Sequence, residues 1–560
     1  MNRVIGVLGA IAAALALMTS TAGAANRHAP PRRARAVPPA AAQRPHVVLP
    51  GTGTIPWGPC KDAILKRLGA QCGTVSVPID YADPTGPHIS LAVSVLAHSS
   101  AAADYQGVVL TNPGGPGASG LDLSAELAAT LTHERYDAAA ADYDWIGFDP
   151  RGTGSSEPVR CQRNFQGPDR RDYTPRTKSL LHYWLSRSDA YARACVSHGA
   201  QQTAILDNDT TIDSARDMDA IRAALGVPEI TYYGFSYGTY LGQVYATLFP
   251  ANVRRLILDS NVDPRGVWYG SNLAQDPAFE RNVNIWFAWL AKHHRFYRLG
   301  ATRAAVSRRF YAVKAALAAK PIRGQVGPDE WTDIFLQAGY YEQTWLGLGA
   351  LFAGWVHHPG VRTGNALVAA YRATDSPSDD NSLAAYLAVQ CSDAPWPHSI
   401  GTVLADNTRV NRSAPFITWA NAWFNGPCSY WRPPSSTPVQ INGGGIANAL
   451  LIDETLDAAT PFEGSLEVRR LFPRSVLLAE PGGTTHADSL SGDRCVDGTI
   501  AAYLAVGTLP ARRPNAEWDK TCHPLPVPEP RLAKPGVAPA LAPDGGLPGR
   551  REPSRAAVTG

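Results

Sequence analysis

The sequence predicts an α/β fold, a mostly parallel sheet covered by helices with a helical segment inserted into it, and three observations carry that expectation. Strand-like and helix-like runs alternate from Gly107 to Asp259, as in a parallel sheet covered on both faces. Helical periodicity without a convincing strand then runs from Pro277 to about Val389. Strand signals return at Ala449–Asp453 and Ser475–Ala479.

Ahead of this core the chain reads Met1-Asn2-Arg3, an apolar stretch from Val4 to Met18, then Ala22-Gly23-Ala24. A charged start, a short apolar run and small residues are the marks of a secretory signal peptide, here cleaved near Ala24. Ala, Pro and Arg dominate residues 25–50, which leaves little to bury and predicts a disordered leader. No later segment has the apolar length of a membrane span, so the expected product is secreted, without stable membrane association. A net charge of +3 and no long Lys/Arg runs leave no footprint for nucleic acid.

Eight cysteines suit an oxidising compartment. They fall as sequence neighbours, Cys60 with Cys72, Cys161 with Cys195, Cys391 with Cys428 and Cys495 with Cys522, and we expect four structural bridges of about 3 kcal/mol each. No Cys-x-x-Cys occurs and Lys292-His293-His294 lies far from the cysteines, so neither a metal site nor a cofactor is expected.

Taken in order, Cys72–Ile79 and His88–Ala97 flank the turn Asp83-Pro84-Thr85-Gly86-Pro87 and predict an antiparallel hairpin. Gly107–Thr111 is a buried-strand run that empties into Asn112-Pro113-Gly114-Gly115-Pro116-Gly117-Ala118-Ser119-Gly120. Such a loop offers bare, rigidly held N–H groups of the kind that stabilise an oxyanion; an ordinary tight turn is the other reading. Tyr143–Asp149 is the next strand, and Pro150-Arg151-Gly152-Thr153-Gly154-Ser155-Ser156 reads as a strand-to-helix turn, since it lacks the lysine of a phosphate loop. Thr211–Leu225 is helical up to Gly226. Ile230 to Tyr240 then joins a β-branched and aromatic run to Gly234-Phe235-Ser236-Tyr237-Gly238 and a helix, the strand–turn–helix in which a nucleophilic serine stands clear of a sheet. Arg254–Asp259 is another strand. The helical insertion that follows belongs over the sheet's carboxyl edge as a lid, its aromatics mostly forming core. A helix over Asp497–Val506 closes the fold, and the Pro- and Gly-rich remainder predicts a disordered tail. The expected organisation is a signal peptide at 1–24, a leader at 25–50, core at 51–262, lid at 263–439, core again at 440–523 and tail at 524–560.

Two candidate catalytic side chains follow the late strands. Asp457 lies in the loop after the first, and His486 ends Glu480-Pro481-Gly482-Gly483-Thr484-Thr485-His486 after the second. Ser236, Asp457, His486 is the chain order of a Ser-Asp-His triad in α/β-hydrolases. The imidazole would take the hydroxyl proton and the carboxylate would fix its tautomer. Asp453, four residues earlier, is the alternative acid. The N–H groups of Gly115 and Tyr237 are the candidate oxyanion donors.

With these residues in hand, the stretch from about Trp57 to Cys522 resembles the secreted tripeptidyl aminopeptidases of filamentous bacteria, relatives of the proline iminopeptidases among the α/β-hydrolases. The resemblance rests on Asn112–Gly117, Asp149–Ser156, Gly234–Gly242, Leu456–Pro461 and the flanking cysteines. Pro113 stands where proline iminopeptidases carry histidine, as in the tripeptidyl branch. Trp289–Gly300 lacks cysteines expected of that lid, and Gly482–His486 departs from the usual Gly-x-Gly-His. The resemblance implies a cofactor-independent serine exopeptidase that takes peptides with free N-termini; a secreted carboxylesterase or lipase-type acyl hydrolase would use the same triad. An exopeptidase must meet a desolvated substrate ammonium with a carboxylate, and Glu330, Asp333, Glu342 and Asp393 are the candidates, with Glu342 and Asp393 favoured.

Overall fold

The computed structural model describes residues 55–168, 170–374 and 380–530. The expected signal peptide and leader, and the tail beyond residue 530, lie outside the described residues.

A ten-stranded sheet runs in the order β1-β2-β3-β5-β4-β6-β7-β8-β9-β10. The expected hairpin is β2 (Gln71–Pro78) and β3 (His88–Leu96), antiparallel to each other, with β1 (Gly58–Pro59) on the outer side. Strand β3 meets β5 (Asp144–Phe148) antiparallel. From β5 onward all neighbours are parallel, through β4 (Val108–Asn112), β6 (Ile230–Phe235), β7 (Val253–Asp259), β8 (Ala449–Glu454), β9 (Ser475–Glu480) and β10 (Lys520–Thr521). The central strands β4 to β9 are buried along their whole lengths apart from one residue of β7, which is why they read as continuous apolar runs rather than alternating ones.

Strand order reverses at β4, which pairs β5 on one side and β6 on the other, with Asn112 opposite Gly234. In an open parallel sheet that reversal opens a crevice at the carboxyl ends of the strands. Both the glycine-rich loop after β4 and the turn after β6 stand there.

The helices follow from their caps and faces: α1 (Leu123–His133), α2 (Lys178–Cys195), α3 (Thr211–Ala224) and α4 (Tyr237–Leu248) cover the first part of the sheet. Thr210 caps α3 by accepting the amide of Asp213, and Gly226 leaves it at a φ of 70°. Between β7 and β8 no described residue joins the sheet. That stretch is helical, as its periodicity predicted, and includes α5 (Tyr269–Lys292), α6 (Pro328–Tyr340), α7 (Asn381–Ser392), α8 (Ile400–Asn411) and α9 (Thr418–Phe424). It begins earlier than its periodicity suggested, because Pro277 sits inside α5 rather than at its start. The lid has its own core, in which Trp286, Trp331, Phe335, Trp345 and Phe352 are at most 1% exposed. Helix α10 (Arg494–Val506) is the last helix, but β10 rather than α10 closes the fold, by pairing its two residues with β9.

One expectation fails. The stretch Pro150–Ser156 does not turn into a helix; irregular chain continues to α2 at Lys178. Side chains occupy the backbone groups that a helix would use: Ser155 donates to Asp149 Oδ2 at 2.7 Å, Gly154 donates to Asn381 Oδ1 at 2.8 Å, and Asn381 Nδ2 donates to the carbonyl of Gly152 at 2.7 Å. Buried Arg151 fixes the turn from beneath, with Nε and Nη2 on the two oxygens of Asp217 at 2.8 and 2.7 Å.

The cysteines join as neighbours, in the pairs Cys60–Cys72, Cys161–Cys195, Cys391–Cys428 and Cys495–Cys522. Among the described residues no helix is long and apolar enough to cross a membrane.

Candidate active site

Strand β6 ends at Phe235 and α4 starts at Tyr237, which leaves Ser236 alone to make the turn. It does so at φ 54°, ψ −124°, a region that non-glycine residues avoid and that needs support from its surroundings. The support is close contact. Gly234 admits no side chain, since a Cβ there would stand 2.4 Å from the carbonyl of Gly238. The amide of Ser236 donates to the carbonyl of Asp259, at the end of β7, at 3.0 Å. Ser236 itself is half-buried among fully buried neighbours.

The loop after β4 lies directly on this turn. A Cβ on Gly114 would sit 2.6 Å from the carbonyl of Phe235, 2.9 Å from Ser236 Cβ and 3.0 Å from the Tyr237 nitrogen, and Gly114 has a φ of 96° that itself favours glycine. The Gly114 amide is held by Asn112 Oδ1 at 2.9 Å. The loop thus packs at Gly114 on the turn that leads to the Tyr237 amide, the first of α4, and first-turn amides have no partner within their helix.

His486 is 5% exposed, and its Nδ1 lies 2.7 Å from Asp457 Oδ2. With Nδ1–H donating, Nε2 is left to accept a proton. Asp457, fully buried, accepts from the amides of Ala459 and Thr460 on Oδ1 at 2.8 and 3.2 Å, and from Thr460 Oγ1 on Oδ2 at 2.9 Å. Burial works against its charge, but the imidazole and these donors outweigh burial and hold its carboxyl below the ordinary range. For His486 burial acts to lower the pKa, and the Asp457 charge and hydrogen bond overcome it and raise the imidazole above its usual value. The alternative acid, Asp453, instead accepts from Ser465 Oγ at 2.5 Å.

Two further connections tie the pieces together, and sequence reasoning singled out neither. The carboxylate of Asp259 accepts the amide of Ser489, three residues past the histidine, at 3.0 Å, while its carbonyl holds the Ser236 turn. From the lid, Asn282 Nδ2 donates to the carbonyls of Leu456 at 2.9 Å, Gly339 at 3.1 Å and Thr484 at 3.4 Å, and Arg281 Nη2 donates to the carbonyl of Asp457 at 3.0 Å. No motif marks Asn282; its value lies in reaching two loops far apart in sequence.

Of the four lid carboxylates, three are occupied elsewhere. Glu330 and Asp333 pair with buried Arg170. Asp393, one of the two favoured, is 4% exposed and accepts from the Thr211 amide and Thr211 Oγ1, both at 2.6 Å, and from Trp268 Nε1 at 2.9 Å. Those donors spend its oxygens on capping α3 and fixing the start of the lid. Glu342 lies beside the histidine loop, accepting from Thr484 Oγ1 at 2.7 Å, and burial raises its carboxyl. A carboxylate that the sequence did not mark, Asp276 on α5, is 1% exposed, has no partner on Oδ2, and lines a small cavity with Asn272, Asn421 and Asn425. Burial pushes its carboxyl up to about 7.

A serine on a strained turn, an imidazole held by a buried carboxylate, and a helix's first amide next to the serine are parts that acyl transfer uses. A family model described as "alpha/beta hydrolase fold" matches residues 107–345, and one described as "TAP-like protein" matches residues 414–522. The chain is 38% identical over 484 residues to a tripeptidyl aminopeptidase of Streptomyces lividans, covering 85% of this chain and 88% of that one. It is 30% identical over 482 residues to the serine protease Hip1 of Mycobacterium tuberculosis, covering 81% and 89%. It is 31% identical over 505 residues to a carboxylesterase B of the same organism, covering 86% and 93%.

Proposed function

The chain belongs to the tripeptidyl aminopeptidase family of α/β-hydrolases and is a serine hydrolase of the peptidase kind, and from that premise we propose that it is an exported aminopeptidase that releases tripeptides from free N-termini through Ser236, His486 and Asp457. The observation that carries the reading is the buried 2.7 Å pair of His486 and Asp457, tied through Asp259 to the turn that presents Ser236.

His486 Nε2 takes the proton of Ser236 as Oγ attacks the scissile carbonyl; the imidazolium that results is stabilised by Asp457. The amides of Gly115 and Tyr237 meet the oxyanion, where fixed donors act without reorganising. His486 returns the proton to the leaving amine, and water, activated by the same imidazole, hydrolyses the acyl-enzyme. The lid bounds the substrate's amino end, with Glu342 and Asp276 as the carboxylates available to its ammonium. Four disulfides and the apolar N-terminal stretch support export.

An acyl hydrolase of esters is the second reading, favoured by the 31% identity to carboxylesterase B. The triad serves both reactions equally. A panel of free tripeptide anilides, their N-acetylated forms and simple esters separates them: the aminopeptidase reading requires the free tripeptides to have the highest kcat/KM, and esters outpacing both peptide forms would replace it.

A further inference from the structure

Strands β8 and β9 lie in register with Glu454 opposite Glu480 at their carboxyl ends, so two carboxylates leave the sheet side by side. Asp488, two residues past His486, joins them, and one ligating oxygen from each of the three lies within 4.8 Å of the others. The side chains are 3%, 1% and 9% exposed. Glu454 is seated against Gly483, where a Cβ would stand 2.5 Å from its Oε2, and it accepts the amide of Thr485. Glu480 Oε1 is buried and no donor group reaches it; its close neighbour is another carboxyl, that of Asp493.

The acidic groups nearest the three carboxylates are Glu342, Asp259, Asp493 and Asp497. Buried charge of one sign needs a neutralising partner. Glu480 Oε1, which no donor reaches, is free to take one.

We propose that Glu454, Glu480 and Asp488 bind one calcium ion, which fastens the loop carrying His486 to the ends of β8 and β9. The donor set is oxygen alone, which selects a hard cation over zinc or copper. Calcium takes oxygens at about 2.3–2.6 Å in irregular arrangements, so one ion spans oxygens up to about 5 Å apart; magnesium demands a tight octahedron at about 2.1 Å. Two strand ends and a loop supply carboxylates from unrelated directions, as a calcium site tolerates. The inference does not depend on which acyl group the enzyme transfers.

The test takes the secreted chain stripped with EDTA and titrates it with CaCl2 by isothermal calorimetry, alongside thermal unfolding and amide exchange at Thr485. One ion per chain should bind with a Kd of about 0.1–1 mM, the range of extracellular calcium modules, raising Tm and slowing exchange at Thr485. Glu480→Gln and Asp488→Asn should each weaken calcium binding at least tenfold, and Glu480→Gln, which removes a repelling charge, should not lower the calcium-free Tm. Magnesium should bind at least tenfold more weakly than calcium. The proposal is overturned if wild-type protein shows neither heat nor a Tm shift up to about 10 mM CaCl2, or if exchange at Thr485 is indifferent to the ion. Unchanged affinity in both folded variants would put calcium elsewhere on the molecule and equally overturn it. Magnesium binding as tightly as calcium would overturn the choice of ion.

Discussion

The carbonyl of Tyr340 accepts the amide of His486 at 2.9 Å, and the two rings meet edge to face with centroids 5.7 Å apart. The proposed base is thus held by the last residue of a lid helix as well as by its own loop. Asn282 completes the arrangement by bonding the carbonyl beside Tyr340, that of Gly339, to those of Leu456 and Thr484. Asn282→Leu leaves three carbonyls short of a donor and should lower kcat about tenfold and stability by about 1–3 kcal/mol. A folded variant with unchanged kcat would show that the lid does not position the histidine.

Ser236→Ala should abolish turnover, by on the order of a millionfold, while the circular dichroism spectrum and Tm stay near wild type, because the hydroxyl is not packed into the core. Fluorophosphonate labelling should disappear with it. Retention of more than a trace of activity in the folded variant would remove Ser236 from the mechanism.

Gly114→Ala places a methyl 2.9 Å from Ser236 Cβ at a φ of 96°. The loop must shift away from the turn, carrying the Gly115 amide with it. Loss of an oxyanion donor typically costs on the order of a hundredfold in kcat, and the variant should show that loss with KM little changed. A rise in KM at constant kcat would instead assign the loop to substrate binding.

The amine should reveal itself through charge. Acetylating a tripeptide substrate is expected to lower kcat/KM at least a hundredfold, about 2.7 kcal/mol. Glu342→Gln or Asp276→Asn should cost the free peptide a similar factor while sparing the acetylated one. If neither variant discriminates, the ammonium is met elsewhere.

Asp276 also makes a statement about pH. Its carboxyl is raised from 3.8 to about 7, so the folded state holds the proton that the unfolded chain has lost. Stability from this group is unaffected below about pH 3.8, declines as pH rises through the interval, and carries the full cost above 7, up to about 4 kcal/mol. Asp276→Asn should therefore raise Tm at pH 8 and leave it nearly unchanged at pH 4. An equal effect at both would mean that the carboxylate is already neutralised by a partner.

The parallel strands were legible because burial on both faces leaves apolar runs, and the placement of the candidates Ser236, Asp457 and His486 because each follows the end of such a run. The lid's helices were legible as a block, whereas Pro277 misled at its start: a proline deep in a helix is rarer than one at its first turn. The turn at Arg151 escaped because its conformation is set by Asn381 and Asp217, which no local pattern brings near. Asp393 looked available for the same reason, since its donors on Thr211 and Trp268 come from distant parts of the chain. Glu454, Glu480 and Asp488 meet only where two strands and a loop end together, and carboxylates so assembled have no spacing to read.

Both margins of the sheet are two-residue strands, β1 and β10, and each abuts a cysteine that is bridged inward: Cys60 to Cys72 on β2, and Cys522 to Cys495 on α10. Each margin pairs only two residues of the longer strand behind it, Gln71 and Cys72 of β2 and Leu478 and Ala479 of β9, and the bridge keeps that short pairing from peeling back. The two bridges act less as reinforcement of the interior than as hems against fraying at the sheet's ends.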